Sequence, residues 1–91
     1  MEGNERKLHD FLHSYDFMKL GQAVNHGNWQ MAAMISQRMS STARELGLDA
    51  FERNLTGLRQ SINRKNVVDA KQNLAMITSK RVQMLNLEQD K

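Results

Sequence analysis

Apolar residues recur along this chain at helical spacing in five stretches, each closed by a short polar break. The first carries Leu8, Phe11 and Leu12, with Asn4 placed as its N-cap. Tyr15-Asp16 interrupts it, and Asp16 is a suitable cap for a second helix bearing Phe17, Leu20 and Val24 at i, i+3 and i+7. Asn25-His26-Gly27 closes that helix, with Gly27 supplying the left-handed residue of its C-terminus. Asn28 then caps a long third helix from Trp29 to Leu46, ended by Gly47. Asp49 caps a fourth, whose core stripe is Phe51, Leu55, Leu58 and Ile62. After the turn Asn63-Arg64-Lys65, Asn66 caps a fifth helix with Val67, Ala70, Leu74 and Ile77 inward, running to about Leu87 before a frayed tail from Glu88 to Lys91.

Composition reinforces this pattern. Proline, the strongest helix breaker, is absent, and aromatic residues, which favour strands, are only 5% of the chain. The expected fold is all-α. Short connections make consecutive helices antiparallel, so helices two to five are expected to form an up-down-up-down four-helix bundle. The short extra N-terminal helix packs over one end. Ninety-one residues fit one domain, with residues 1–15 as the capping helix and 16–87 as the bundle. The seven methionines suit an irregular core, their alternative use being an adaptable binding surface.

Charge and cysteine content narrow the function. With no cysteine there is no disulfide framework and no thiolate metal site, which is compatible with a reducing cytoplasm. No apolar run approaches the roughly 20 residues that span a bilayer, and the polar start MEGNERKLHD is not a signal peptide. The net charge of +3 is dispersed, with Arg6-Lys7, Arg64-Lys65 and Lys80-Arg81 the only basic doublets, whereas a nucleic-acid binder carries a denser stripe. Neither nucleic acid nor membrane is an expected partner, and the chain is expected as a monomer or weak dimer.

Residues placed at about 100° steps along the third helix separate two faces. Ala32, Ile35, Met39, Ala43 and Leu46 form the core stripe. Gln37 lies nearly opposite, surrounded by Gln30, Ala33, Met34, Ser40, Ser41 and Arg44. That outer face carries one charge, two small hydroxyls and two apolar side chains, where a solvated face carries more Glu and Lys. Small uncharged residues let another chain approach closely, so the face reads as a docking surface.

The run from Gly27 to Asn66 resembles the middle of a bacterial histidine-containing phosphotransfer domain. In that family a Gly-Asp-Trp-like start leads into a long helix with an Ala-His-x-Leu-Lys-Gly-Ser motif, a Gly-Ala-like break, a helix with a Leu-Glu pair and a closing helix. Gly27-Asn28-Trp29 is similar to the start, Ser36-Gln37-Arg38-Met39-Ser40-Ser41-Thr42 falls in the motif register, Leu46-Gly47-Leu48 resembles the break, and Leu58-Arg59 stands where Leu-Glu is usual. The resemblance covers roughly residues 16–80. It implies the fold and contact face of a phosphotransfer domain without its chemistry. Gln37 occupies the phospho-acceptor position, Ser40 that of the helper lysine, and Ser41 that of the motif glycine. A glutamine amide cannot take a phosphoryl group from an aspartyl phosphate, and the cation that would steady the transferred charge is missing. Glutamine keeps roughly histidine's length and its hydrogen-bonding capacity. The resemblance therefore implies a protein-interaction module of two-component phosphorelay signalling, not an enzyme, that binds a receiver domain or a histidine kinase without carrying phosphate. The alternatives are an active phosphotransfer protein using another histidine, and a structural bundle unrelated to signalling.

Other chemistry-bearing residues are sparse, and no cofactor is expected. His9 and His13 stand at i, i+4 on the first helix, a metal-pair spacing, but the only third ligands on offer, Asp10 and Asp16, are not placed on that face, so no metal site is assigned. Ser40, Ser41 and Thr42 have no histidine nearby to act as a base and read as hydroxyls bonding back to the preceding turn. Gly21 and Gly57, inside helices, mark candidate points of close helix approach, and Trp29 reads as an anchor of the core or bundle end.

Overall fold

The computed structural model describes residues 2–89. They form helices α1 (Glu2–Leu12), α2 (Asp16–Asn25), α3 (Trp29–Glu45), α4 (Asp49–Asn63) and α5 (Val67–Gln89), with no strand among the described residues. The all-helical expectation therefore holds. The last three connections share one device. At the end of α2, α3 and α4 a residue turns left-handed: Gly27 at φ 71°, Gly47 at φ 70° and Lys65 at φ 57°. The next N–H then reaches back into the helix, from Asn28 to the Ala23 carbonyl (2.8 Å), Leu48 to Ala43 (2.8 Å) and Asn66 to Ser61 (2.9 Å). These are Schellman closures, which satisfy the orphan carbonyls of each last turn.

Side-chain capping follows the sequence at two starts and departs from it at three. Asn28 Oδ1 accepts the Met31 N–H at 3.3 Å, and Asn66 Oδ1 accepts the Asp69 N–H at 3.0 Å. Asp16 and Asp49 instead fall within the first turns of α2 and α4, where their charge meets the helix dipole, and Tyr15 and Leu48 hold the cap positions. Asn4 lies inside α1, which begins at Glu2. At the other end, the helical backbone continues through Gln89, where a frayed tail from Glu88 was expected; the rest of that tail, residues 90 and 91, lies outside the described residues.

Helix α2 packs on α3, α3 on α4 and α4 on α5, while α5 also touches α2 and α1. Leu20, Val24, Ala32, Ile35, Met39, Ala43, Phe51, Leu55, Leu58, Ala70 and Ile77 are buried between them. Each large apolar side chain here contributes about 1.5–3 kcal/mol. All three phenylalanines meet edge-on, at centroid distances of 5.3 Å (Phe11–Phe17), 5.6 Å (Phe11–Phe51) and 6.0 Å (Phe17–Phe51). This cluster fastens α1 and α2 to α4, each pair adding about 0.5–1.5 kcal/mol beyond its area. Arg81 completes the junction: its Nε donates to the Leu12 carbonyl at 2.7 Å and its guanidinium lies 5.0 Å from the Phe17 centroid.

Several packing expectations are corrected. Val67 is exposed, because it opens α5 beside the turn; Ala70 and Ile77 are buried as expected and Leu74 is half-buried. Of the methionines outside the undescribed Met1, only Met39 is buried, Met84 packs at the core edge, and Met18, Met31, Met34 and Met76 are exposed. Their stripes had already been filled by Leu, Ile, Ala and Phe. Gly57 does mark a close approach, for a β-carbon there would lie 2.7 Å from Asn73 Oδ1. Gly21 does not, having open space around it. Trp29 is half-buried and packs against the core at the start of α3. No described helix is long and apolar enough to cross a membrane.

Candidate docking face on the third helix

The inner stripe of α3 places the rest of the helix. With Ala32, Ile35, Met39 and Ala43 buried, Gln37 faces out. Gln30, Met34, Ser41 and Arg44 are exposed with it, and Ala33 is half-buried. Met34, at 63% exposure, is an apolar side chain left in water on this face.

Ser40 corrects the expected face. It is 2% exposed, and its hydroxyl has no hydrogen-bond partner. Ser40 sits about 60° round the helix from Gln37, on the flank with the buried Ser36, whose Oγ donates to the Ala33 carbonyl at 2.9 Å. Ser41 and Thr42 bond back to the carbonyls of Gln37 (3.3 Å) and Arg38 (3.4 Å), the arrangement expected of exposed helix hydroxyls.

The face extends onto α4. Ala33 and Gln37 form one wall of an open hollow, and Thr56, Arg59, Gln60 and Asn63 form the other. Arg59 is half-buried; its Nη2 approaches Thr56 Oγ1 at 3.5 Å, and its Nε is buried without a partner. Because Arg59 is only half-buried, the guanidinium it brings to the hollow is suited to donate to a carboxylate or other acidic group. These α4 residues were missed in the sequence, although Thr56, Arg59, Gln60 and Asn63 share the side of α4 away from its core stripe. The signal was there in the spacing, but only the pairing of α3 with α4 gives it a partner.

Ion pairs set the edges of this region. Arg38 clasps Asp16 of α2 through Nε (3.1 Å) and Nη2 (2.7 Å). Arg44, the single charge expected on the face, donates from Nε to Glu52 of α4 at 2.5 Å while its side chain stays 72% exposed. Exposed pairs of this kind are worth at most about 1 kcal/mol, so Glu52 shields Arg44 without removing it from a partner's reach.

No histidine lines the hollow. His26 is the exposed C-cap of α2. His9, in the last turn of α1, and His13, which falls just past the end of that helix rather than on it, both approach Glu88, near the end of α5. Hydrogen bonding from His13 holds the Glu88 carboxyl below its ordinary pKa, against a smaller opposing effect of desolvation. No protein-family model matches the chain, and neither does any curated protein or solved structure.

Proposed function

We propose that this chain is a docking module of bacterial two-component signalling, built like a phosphotransfer domain but without its phosphoryl chemistry. In this reading α2 to α5 run up-down-up-down, as their short connections favour, and α1 covers one end. The outer face of α3 and the adjoining edge of α4 bind a receiver domain or a histidine kinase in the cytoplasm.

The observation that carries the reading is Gln37 standing exposed at the middle of α3, in a hollow shared with Thr56, Arg59 and Gln60. The position resembles that of a phospho-acceptor, and the residue there is not a nucleophile. The neighbourhood instead offers an amide, the half-buried guanidinium of Arg59 and the exposed sulfur chain of Met34, which together suit a surface with acidic and apolar parts. Ser40, in the register of the helper lysine, is buried and so takes no part in contact.

Incubation with receiver domains carrying radiolabelled aspartyl phosphate tests both halves of the proposal. The expected result is a complex with no label on this chain. Acid-labile phosphate held on the chain, and lost in one His→Ala variant, would instead make it an active phosphotransfer protein.

A further inference from the structure

Away from the α3–α4 face, α1 and α5 bring together His9, His13 and Glu88. The His13 N–H still bonds back to the His9 carbonyl at 3.0 Å, so the i, i+4 spacing stacks the two imidazoles at the end of α1, with ring centroids 4.2 Å apart. The last turns of α5 bring Glu88 against both: His13 Nε2 lies 3.2 Å from Oε1 and His9 Nδ1 lies 3.4 Å from Oε2. One ligand atom from each of the three residues fits within a mutual spacing of 4.8 Å.

We propose that His9, His13 and Glu88 bind a divalent transition-metal ion, zinc being the reference case, and that the ion clips the end of α5 to α1. The chemistry of the donors selects the ion. Two imidazole nitrogens and one carboxylate suit zinc and its neighbours, whereas calcium and magnesium require oxygen ligands throughout. Zinc held at about 2.0–2.1 Å by tetrahedral ligands places those ligands about 3.3 Å apart; here the two imidazoles face different oxygens of Glu88, at 3.2 and 3.4 Å, and one donor from each residue lies within 4.8 Å of the others, so small side-chain rotations gather them around one ion. The His9 and His13 side chains are 58% and 50% exposed, so their rings are free to turn the nitrogens onto a common point. Water completes the fourth position.

The effect of such an ion is local. Helix α1 meets α5 at its last turn, where Arg81 donates to the Leu12 carbonyl, while Phe11 packs on Phe17 of α2 and Phe51 of α4. A metal held by His9, His13 and Glu88 adds a fastening at the same end of α1, with its imidazoles on either side of Leu12 in sequence. The inference stands apart from the docking proposal, and either can fail alone.

Calorimetric titration of the full chain with zinc chloride at pH 7.5 provides the test. One zinc per chain is expected, with affinity falling at least about tenfold in His13→Ala and in Glu88→Gln and unchanged in His26→Ala. Because the three side chains are not buried, these variants fold, which circular dichroism checks. Zinc should also raise the melting temperature of the parent chain but not of His13→Ala. Wild-type affinity in both ligand variants, no saturable binding up to about 100 μM zinc, or one zinc per two chains would overturn the proposal.

Discussion

Gly57 on α4 and Asn73 on α5 are fitted to each other, with Asn73 Oδ1 only 2.7 Å from where a β-carbon on Gly57 would stand. Asn73 cannot move aside freely. Its Nδ2 donates to the Asp69 carbonyl at 3.0 Å and to Ser61 Oγ at 3.3 Å. The buried Ser61 hydroxyl is in turn within 2.8 Å of an Asp69 carboxylate oxygen. An alanine at 57 gains about 1 kcal/mol of helix propensity but displaces an amide whose hydrogen bonds are worth about 1 kcal/mol each. Gly57→Ala is therefore expected to destabilise the protein by about 1 kcal/mol. In an Asn73→Ala background the same change should become stabilising. Urea unfolding of the four chains measures the coupling, and equal effects in both backgrounds would contradict it.

Lys65 occupies the left-handed position that Gly27 and Gly47 fill in the other two turns. A side chain in that conformation costs about 1 kcal/mol or more, and the Lys65 side chain makes no hydrogen bond or ion pair among the described residues. Lys65→Gly is expected to raise stability by up to about 1 kcal/mol, less the entropy glycine returns to the unfolded chain. The urea midpoint should move up with an unchanged slope.

Arg81, part of a basic doublet in the sequence, serves as a fastening between helices. Removing it ends a charge-assisted hydrogen bond to Leu12 and a contact with Phe17. Arg81→Met is expected to cost about 2 kcal/mol and to shorten amide protection in α1 more than in α3. Uniform loss of protection across the chain would argue against a local role.

Ser40 separates burial from docking. Its unpartnered buried hydroxyl carries a desolvation cost of about 1–3 kcal/mol, so Ser40→Ala should be neutral or stabilising by about 1 kcal/mol and leave partner affinity unchanged. Met34→Glu and Ala33→Arg should do the reverse, abolishing binding with melting temperatures close to the parent. A docking-deficient Ser40→Ala would move the contact surface off the outer face.

The helices and their glycine closures were legible because they rest on local chemistry: stripes at helical spacing, Asn28 and Asn66 as caps, Gly27 and Gly47 as left-handed stops. Lys65 in the same role was not, since nothing in its chemistry favours positive φ. A helical wheel placed Gln37 and Met34 correctly but left Ser40 outside. It gives an angle and does not say which flank α4 covers. The methionines were misjudged because composition does not tell a gap-filling side chain from an exposed one. Glu88 lies 75 residues from His13 in sequence, so its approach depends on how α1 and α5 pack and leaves no local trace.

Chemical-shift mapping on the ¹⁵N-labelled chain, titrated with a receiver domain that it binds, addresses the docking face directly. Perturbed amides are expected to cluster at Ala33, Met34, Gln37 and Ser41 on α3 and at Thr56, Arg59 and Gln60 on α4, with His9 and His13 unaffected. Perturbations confined to α5, with Gln37 and its neighbours unmoved, would contradict it.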